Sequence, residues 1–165
     1  MKELFSAYLK NPTLDNFRSL RTAFISDKQF DPYSDELDGV GRLVHEARYE
    51  EAVNLIRKHL LPGYLLSPSA HMNLSIALGK LGKDDDAKVE KKIAGLLLSG
   101  IEMTGDGTPQ APFQVTRISD EYDYLAAYQL GFRQQSLEEL NQRRLDRLEL
   151  DNGKAVYFDV TDLAR

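Results

Sequence analysis

Leu43–Ala52 reads LVHEARYEEA and Leu78–Ala87 reads LGKLGKDDDA, and setting one over the other decides how the chain is organised. Leu43 falls on Leu78, Ala47 on Gly82 and Ala52 on Ala87, at a constant offset of 35 residues. Repetition near 34 residues is the signature of tetratricopeptide-type helical hairpins, which stack to bury a shared core. In such a hairpin a small residue ends the first helix, and an alanine lets the second helix pack closely against it. Ala47 and Gly82 then supply the turns, and Ala52 and Ala87 the contacts. The spacing predicts one hairpin of Asp35 to Ala47 with Tyr49 to Leu61, and a second of Pro68 to Leu81 with Asp84 to Ser99. Pro62, Gly63 and Pro68 break the chain between them. The run Asp84, Asp85, Asp86 opens the last of these helices, where the positive end of the helix dipole favours acidic side chains.

Toward the N-terminus, Asn11-Pro12-Thr13 is a helix start, with Thr13 as N-cap. Leu14, Phe17, Leu20, Phe24 and Ile25 follow at spacings of three and four, one apolar helical face. Asp27 to Asp38 carries Pro32 and five acidic residues and is predicted to be a loop.

Toward the C-terminus, TGDGTPQAP at Thr104–Pro112 holds two glycines and two prolines and cannot continue a helix. Beyond it Phe113, Val115, Ile118, Tyr122, Tyr124, Tyr128, Leu130 and Phe132 are β-branched or aromatic, and strands are predicted there. Asn152-Gly153 is a hairpin signal, and Val156, Phe158 and Val160 alternate as one buried strand face. Ser136-x-x-Glu139 has the form of a capping box, which predicts a short helical turn over Leu137–Asn141. The expected fold class is α+β. A tetratricopeptide-like array of about five helices over 1–103 precedes a small antiparallel β element of three or four strands over 104–165. So few strands are marginal alone, so they are expected to pack on the helices in a single compact domain.

The whole chain has 165 residues, 42% of them hydrophobic, which suits one core. It has no cysteine, which excludes disulfide scaffolds, thiolate metal sites and cysteine nucleophiles. No apolar run approaches the roughly 20 residues of a membrane-spanning helix. The net charge of −5 resides beyond residue 100, where 12 acidic side chains face 7 basic ones, whereas residues 1–100 are neutral. Phosphate-backbone binding needs clustered Lys and Arg, so nucleic acid is not an expected partner.

No catalytic, metal or cofactor site is predicted. His45, His59 and His71 lack the convergence a metal requires, and no G-x-S-x-G marks a serine nucleophile. Asp31, Asp35, Glu36 and Asp38 lack the spacing and glycine of a calcium loop. The glycines around Asp106 fit neither nucleotide fingerprint and read as turn residues. Two surfaces are candidates. If the repeat holds, Leu37, Val44, His45, Met72, Ile76 and Lys80 line a concave groove for a peptide, or for the chain's own β element. Asp120, Glu121 and Asp123 form an acidic face, the raw material of a small hydrolase or carbohydrate-binding module. The expected role is a non-enzymatic interaction or structural module whose partner is another protein or peptide; the hydrolase or carbohydrate-binding reading is the alternative.

Three further stretches resemble a bacterial family catalogued as domain of unknown function 4919. They are FRSLRTAFISDKQFDPY at Phe17–Tyr33; Gly105-Asp106-Gly107-Thr108 with Gln114, Val115 and Asp120-Glu121-Tyr122; and Gly131–Leu137 together with Val156–Val160. The resemblance runs over roughly residues 14–161 in one order. It implies no established activity, cofactor or catalytic residue. It does imply export, because members carry a leader before the equivalent of this N-terminus. The expected compartment is therefore the cytoplasm if Met1 is the native start, and the periplasm or cell envelope if a leader has been removed.

Overall fold

The two turns set in register by the sequence offset share one backbone geometry. Ala47 and Gly82 both adopt the left-handed conformation, at φ 58° and 73°. One residue later, Arg48 N–H donates to Leu43 O and Lys83 N–H donates to Leu78 O, each at 2.9 Å. This return closes the C-terminus of a helix by satisfying a carbonyl that has no helical partner. Ala52 and Ala87 are both buried.

The computed structural model describes residues 1–59 and 63–163. Among these, the helices are α1 (Lys2–Lys10), α2 (Leu14–Ile25), α3 (Val40–His45), α4 (Tyr49–His59), α5 (Pro68–Lys80), α6 (Asp84–Glu102) and α7 (Ser119–Ala127). The strands are β1 (Phe113–Gln114), β2 (Phe132–Leu140), β3 (Arg143–Leu150) and β4 (Ala155–Asp159), followed by a 3-10 turn at Thr161–Leu163. Thr13 caps α2 as expected, its Oγ1 accepting from Asn16 N–H at 3.3 Å. Ser67 does the same for α5, with Pro68 at the first helical position where no N–H is needed.

Several expectations are corrected. The first helix of the first hairpin is only six residues long, because turns occupy Asp35–Asp38 and Gly39 is left-handed at φ 85°. The second helix runs to His59, while Leu60, Leu61 and the predicted break at Pro62 lie outside the described residues. Tyr122 and Tyr124 belong to a helix, not a strand; the buried set Asp120, Glu121, Tyr124, Leu125 repeats every four residues. Conversely, Ser136–Glu139 lies within β2, so the capping-box pattern there caps nothing. The sheet order is β1-β4-β3-β2, and it is mixed, since β1 pairs parallel with β4 while the other pairs are antiparallel. Asn141 and Gln142 connect β2 to β3 with φ of 51° and 65°, the two positive values that a tight type I′ hairpin requires. Asn152-Gly153 does turn β3 into β4, with Gly153 N–H donating to Leu150 O at 2.9 Å.

Two cores result. The larger joins α1, α2, α6 and α7 to the inner face of the sheet, through Tyr8, Phe17, Leu20, Phe24, Leu97, Ile101, Leu125, Leu148 and Phe158. The smaller holds α3, α4 and α5 around Ala52, Ile56, Leu74 and Leu78. Helix α6 serves both, with Ala87 in the smaller core and Leu97 and Ile101 in the larger. The β element therefore packs on the helices, and the buried Arg21 ties them: its Nε donates to Val115 O at 2.9 Å and its Nη1 pairs with Asp162 at 3.1 Å.

Close packing of α6 gives a paired test. A Cβ at Gly100 would lie 2.4 Å from the Phe17 ring and 2.7 Å from the Tyr8 hydroxyl, whereas one at Gly95 meets nothing within 4 Å. In a helix interior alanine is favoured over glycine by about 0.5–1 kcal/mol, but overpacking costs about 1–3 kcal/mol. Urea unfolding should therefore show Gly95→Ala stabilising and Gly100→Ala destabilising. Equal shifts for the two would contradict the contact.

Candidate functional site

The expected acidic face is not a face. Asp120 and Glu121 are 0% exposed, and together with the half-buried Asp123 they turn toward three different parts of the molecule. The cause is helical geometry: successive residues on a helix point about 100° apart, and α7 is wedged between α5, the Thr116–Arg117 segment and the sheet.

Asp120 works on the chain just before its own helix. Its Oδ2 accepts from Thr116 N–H at 3.0 Å, Thr116 Oγ1 at 2.5 Å and Arg117 N–H at 2.9 Å. Burial pushes its carboxyl up to about 7, and the neighbouring Asp123 adds to this, while the three donated hydrogen bonds pull the other way. Arg117 is 1% exposed. Its guanidinium lies 4.0 Å above the Tyr64 ring and 5.2 Å from that of Phe30, and its Nε donates to Gly63 O at 3.1 Å. The aromatic faces and nearby carboxylates offset part of the burial, which still lowers its pKa, and among the described residues its Nη2 has no hydrogen-bond partner.

Glu121 faces the sheet. Gln135 Nε2 on β2 donates both to Glu121 Oε2 at 3.2 Å and to Asp146 Oδ2 on β3 at 2.9 Å. Tyr122 hydroxyl donates to Gln135 Oε1. Burial first, and then the carboxylate of Asp146 beside it, push Glu121 up to about 9, so at neutral pH it carries a proton and can donate to Asp146. Gln135 Nε2, donating to both carboxyls, ties α7 to β2 and β3.

Asp123 faces α5, where its Oδ2 accepts from Ser69 N–H at 3.0 Å. It borders a cleft of about 280 Å³ between α5, α6 and α7, whose walls are largely apolar: Pro68, Met72, Ala94, Leu98, Ala126 and Ala127, with Ser69 and Asn73 as polar neighbours. Burial raises the Asp123 carboxyl above the usual range, and the Ser69 hydrogen bond opposes that.

The six groove residues are not brought to one surface. Met72 lines the Asp123 cleft, whereas Leu37 lines a different one with Val40 and Tyr64. Leu37 and Val44 pack half-buried against the smaller core. Ile76 is 42% exposed one turn along α5 from Met72. His45 and Lys80 stand exposed in the last turns of α3 and α5. Of the other histidines, His71 is buried, with Nδ1 2.6 Å from Glu90 and Nε2 2.9 Å from Leu65 O, and His59 Nδ1 is 3.2 Å from Glu36. Asp106 binds Thr108 N–H and Oγ1 in a tight turn. Sequence reasoning passed over Thr116, Arg117, Gln135 and Asp146. Only the spacing of Thr116 and Asp120, a hydroxyl four residues before an acid at a helix start, hinted at the buried cluster.

An α+β domain with one helix-built core, one core shared by helices and sheet, and a carboxylate-bordered apolar cleft is the class that this geometry defines. The chain belongs to the family described as Domain of unknown function (DUF4919), whose model matches residues 7–165. No curated protein and no solved structure matches it. Among the described residues no helix is long and apolar enough to cross a membrane.

Proposed function

We propose that this protein is a non-enzymatic, tetratricopeptide-like interaction module that holds a segment of another protein in the cleft between α5, α6 and α7. One observation carries the reading: Met72, 36% exposed, and Leu98 flank a cleft whose single carboxylate is Asp123. A volume of about 280 Å³ accommodates one long side chain. Lysine or arginine suits it, since such side chains lay an apolar stem along apolar walls while the charged head seeks a partner. The stem lies on Met72, Ala94 and Leu98, and the head meets Asp123. A cation there also offsets the burial that now raises the Asp123 carboxyl. The matched turns at Ala47 and Gly82 support the repeat character, because the same hydrogen bond recurs 35 residues apart.

Selection of a random peptide library on the full chain tests this. Enriched peptides should carry Lys or Arg next to aliphatic residues. Their binding should fall at least tenfold on Met72→Glu and on Asp123→Asn, a variant that removes the charge while its amide oxygen can still accept from Ser69. Peptides without a basic residue, or unchanged affinity in both variants, would contradict it.

A further inference from the structure

The orphaned Nη2 of Arg117 belongs to a side chain only 1% exposed, and a buried charged donor without an acceptor is costly unless something completes it. That side chain forms part of the wall of a cavity of about 400 Å³, together with Asp31, Asp35, Glu36, Lys58 and His59. Small-molecule sites run from roughly 300 to 1,000 Å³. The cavity shares no lining residue with the cleft between α5, α6 and α7. Three separate stretches build it: the turns before α3 bring the carboxylates, the last turn of α4 brings Lys58 and His59, and the segment before α7 brings Arg117.

Gly63 opens the wall beside the orphaned atom. A Cβ at this glycine would lie 3.6 Å from Arg117 Nη2 and 4.0 Å from Glu36 Oε2. Both are ordinary contact distances, so one small group standing there touches a guanidinium and a carboxylate together. The remaining charges decide what kind of group it is. Glu36 is matched by His59, its Oε2 lying 3.2 Å from Nδ1. Among the described residues Arg117, Lys58, Asp31 and Asp35 are in no ion pair. Two cations and two carboxylates therefore face one space. A simple anion entering it meets two like charges, and so does a simple cation; a ligand carrying one charge of each sign finds an opposite partner for both.

We propose that this cavity binds a small zwitterion, an α-amino acid, whose carboxylate is received by Arg117 Nη2 and Lys58 and whose ammonium is received by Asp31 and Asp35. Hydrogen bonds between guanidinium and carboxylate are charge-assisted and among the strongest a protein makes. An α-amino acid carries both charges on a single carbon, which suits walls of opposite sign around one cavity. The site stands independently of the peptide cleft.

The probes are the common L-α-amino acids, added one at a time at millimolar concentration to the nitrogen-15-labelled chain, with acetate and ethylamine as controls that carry one charge each. At least one amino acid should give saturable amide shifts at Asp31, Asp35, Glu36, Lys58, Gly63 and Arg117, and neither control should. Gly63→Ala adds a methyl group at tolerated distances and fills the gap. It should weaken binding at least tenfold, as should Lys58→Ala and Asp35→Asn, which alter exposed side chains. Thermal melts matching wild type guard against misfolding. The proposal is overturned if none of the amino acids moves these amides, if acetate binds as tightly as the best amino acid, or if the three substitutions leave affinity unchanged. Shifts confined to Ser69, Met72 and Asp123 would report the peptide cleft and overturn it as well.

Discussion

Asp120→Ala is expected to remove about 4 kcal/mol of stability in urea unfolding at pH 8, where Asp120 is ionised. Three donors lose their acceptor at once: Thr116 N–H, Thr116 Oγ1 and Arg117 N–H, in a segment 1–2% exposed. Each buried donor left without a partner costs about 1–3 kcal/mol, and the terms are not fully additive. The nearby Arg117 guanidinium also loses a countercharge in a buried setting, where removing one partner is especially costly. Asp120→Asn should cost markedly less, because one amide oxygen can still accept from the two backbone N–H groups. A loss below about 1 kcal/mol for the alanine variant would mean that the turn into α7 does not depend on this carboxylate.

Stability should fall as pH rises, and Glu121→Gln should abolish most of that fall. A carboxyl raised in the folded state binds its proton more tightly there than in the unfolded chain. Its contribution is complete below the unfolded value near pH 4 and declines until the folded value is passed. For Glu121 that window runs from about pH 4 to about 9, and for Asp120 its upper end is near 7. Both act in the same direction. Glutamine mimics the neutral acid, keeping a donor toward Asp146 with no proton to lose. At pH 8 the variant should be more stable than wild type by at least about 1.4 kcal/mol, the worth of one pKa unit. At pH 4 the two should melt together. A wild-type chain whose stability rises between pH 5 and 8, or a destabilised Glu121→Gln, would contradict a Glu121 carboxyl raised by burial.

How far the residues announced all this differs by element. The turns at Ala47 and Gly82 were legible because a helix end must place a small residue in the left-handed region, and the same arithmetic located Ala52 and Ala87. The Asn152-Gly153 hairpin was legible for a similar reason, that few residues accept positive φ. Helix α7 was misread because its tyrosines at 122 and 124 mimic the alternation of a strand, while the decisive period of four lies in Asp120 and Tyr124, a polar and an aromatic residue that do not read as one apolar face. Strand β2 was misread at Ser136 because a capping box is a local pattern, whereas the pairing with Arg147 that makes it a strand is tertiary. For the candidate site, the sequence expected Asp120, Glu121 and Asp123 at the surface, whereas the first two are buried and the third is half-buried. Nothing local reveals that Arg117 fits between Phe30 and Tyr64, or that Gln135 and Asp146 meet Glu121; these are contacts across 11 to 87 residues of chain.

Amide chemical-shift mapping tests the central claim most directly. The 165-residue chain, labelled with nitrogen-15, would be titrated with a library-selected peptide carrying lysine or arginine. Expected is a saturable set of shifts confined to Ser69, Met72, Asn73, Ala94, Leu98 and Asp123–Ala127, lost with Asp123→Asn. Shifts centred elsewhere, or a map unchanged by Asp123→Asn, would contradict the cleft as the binding site.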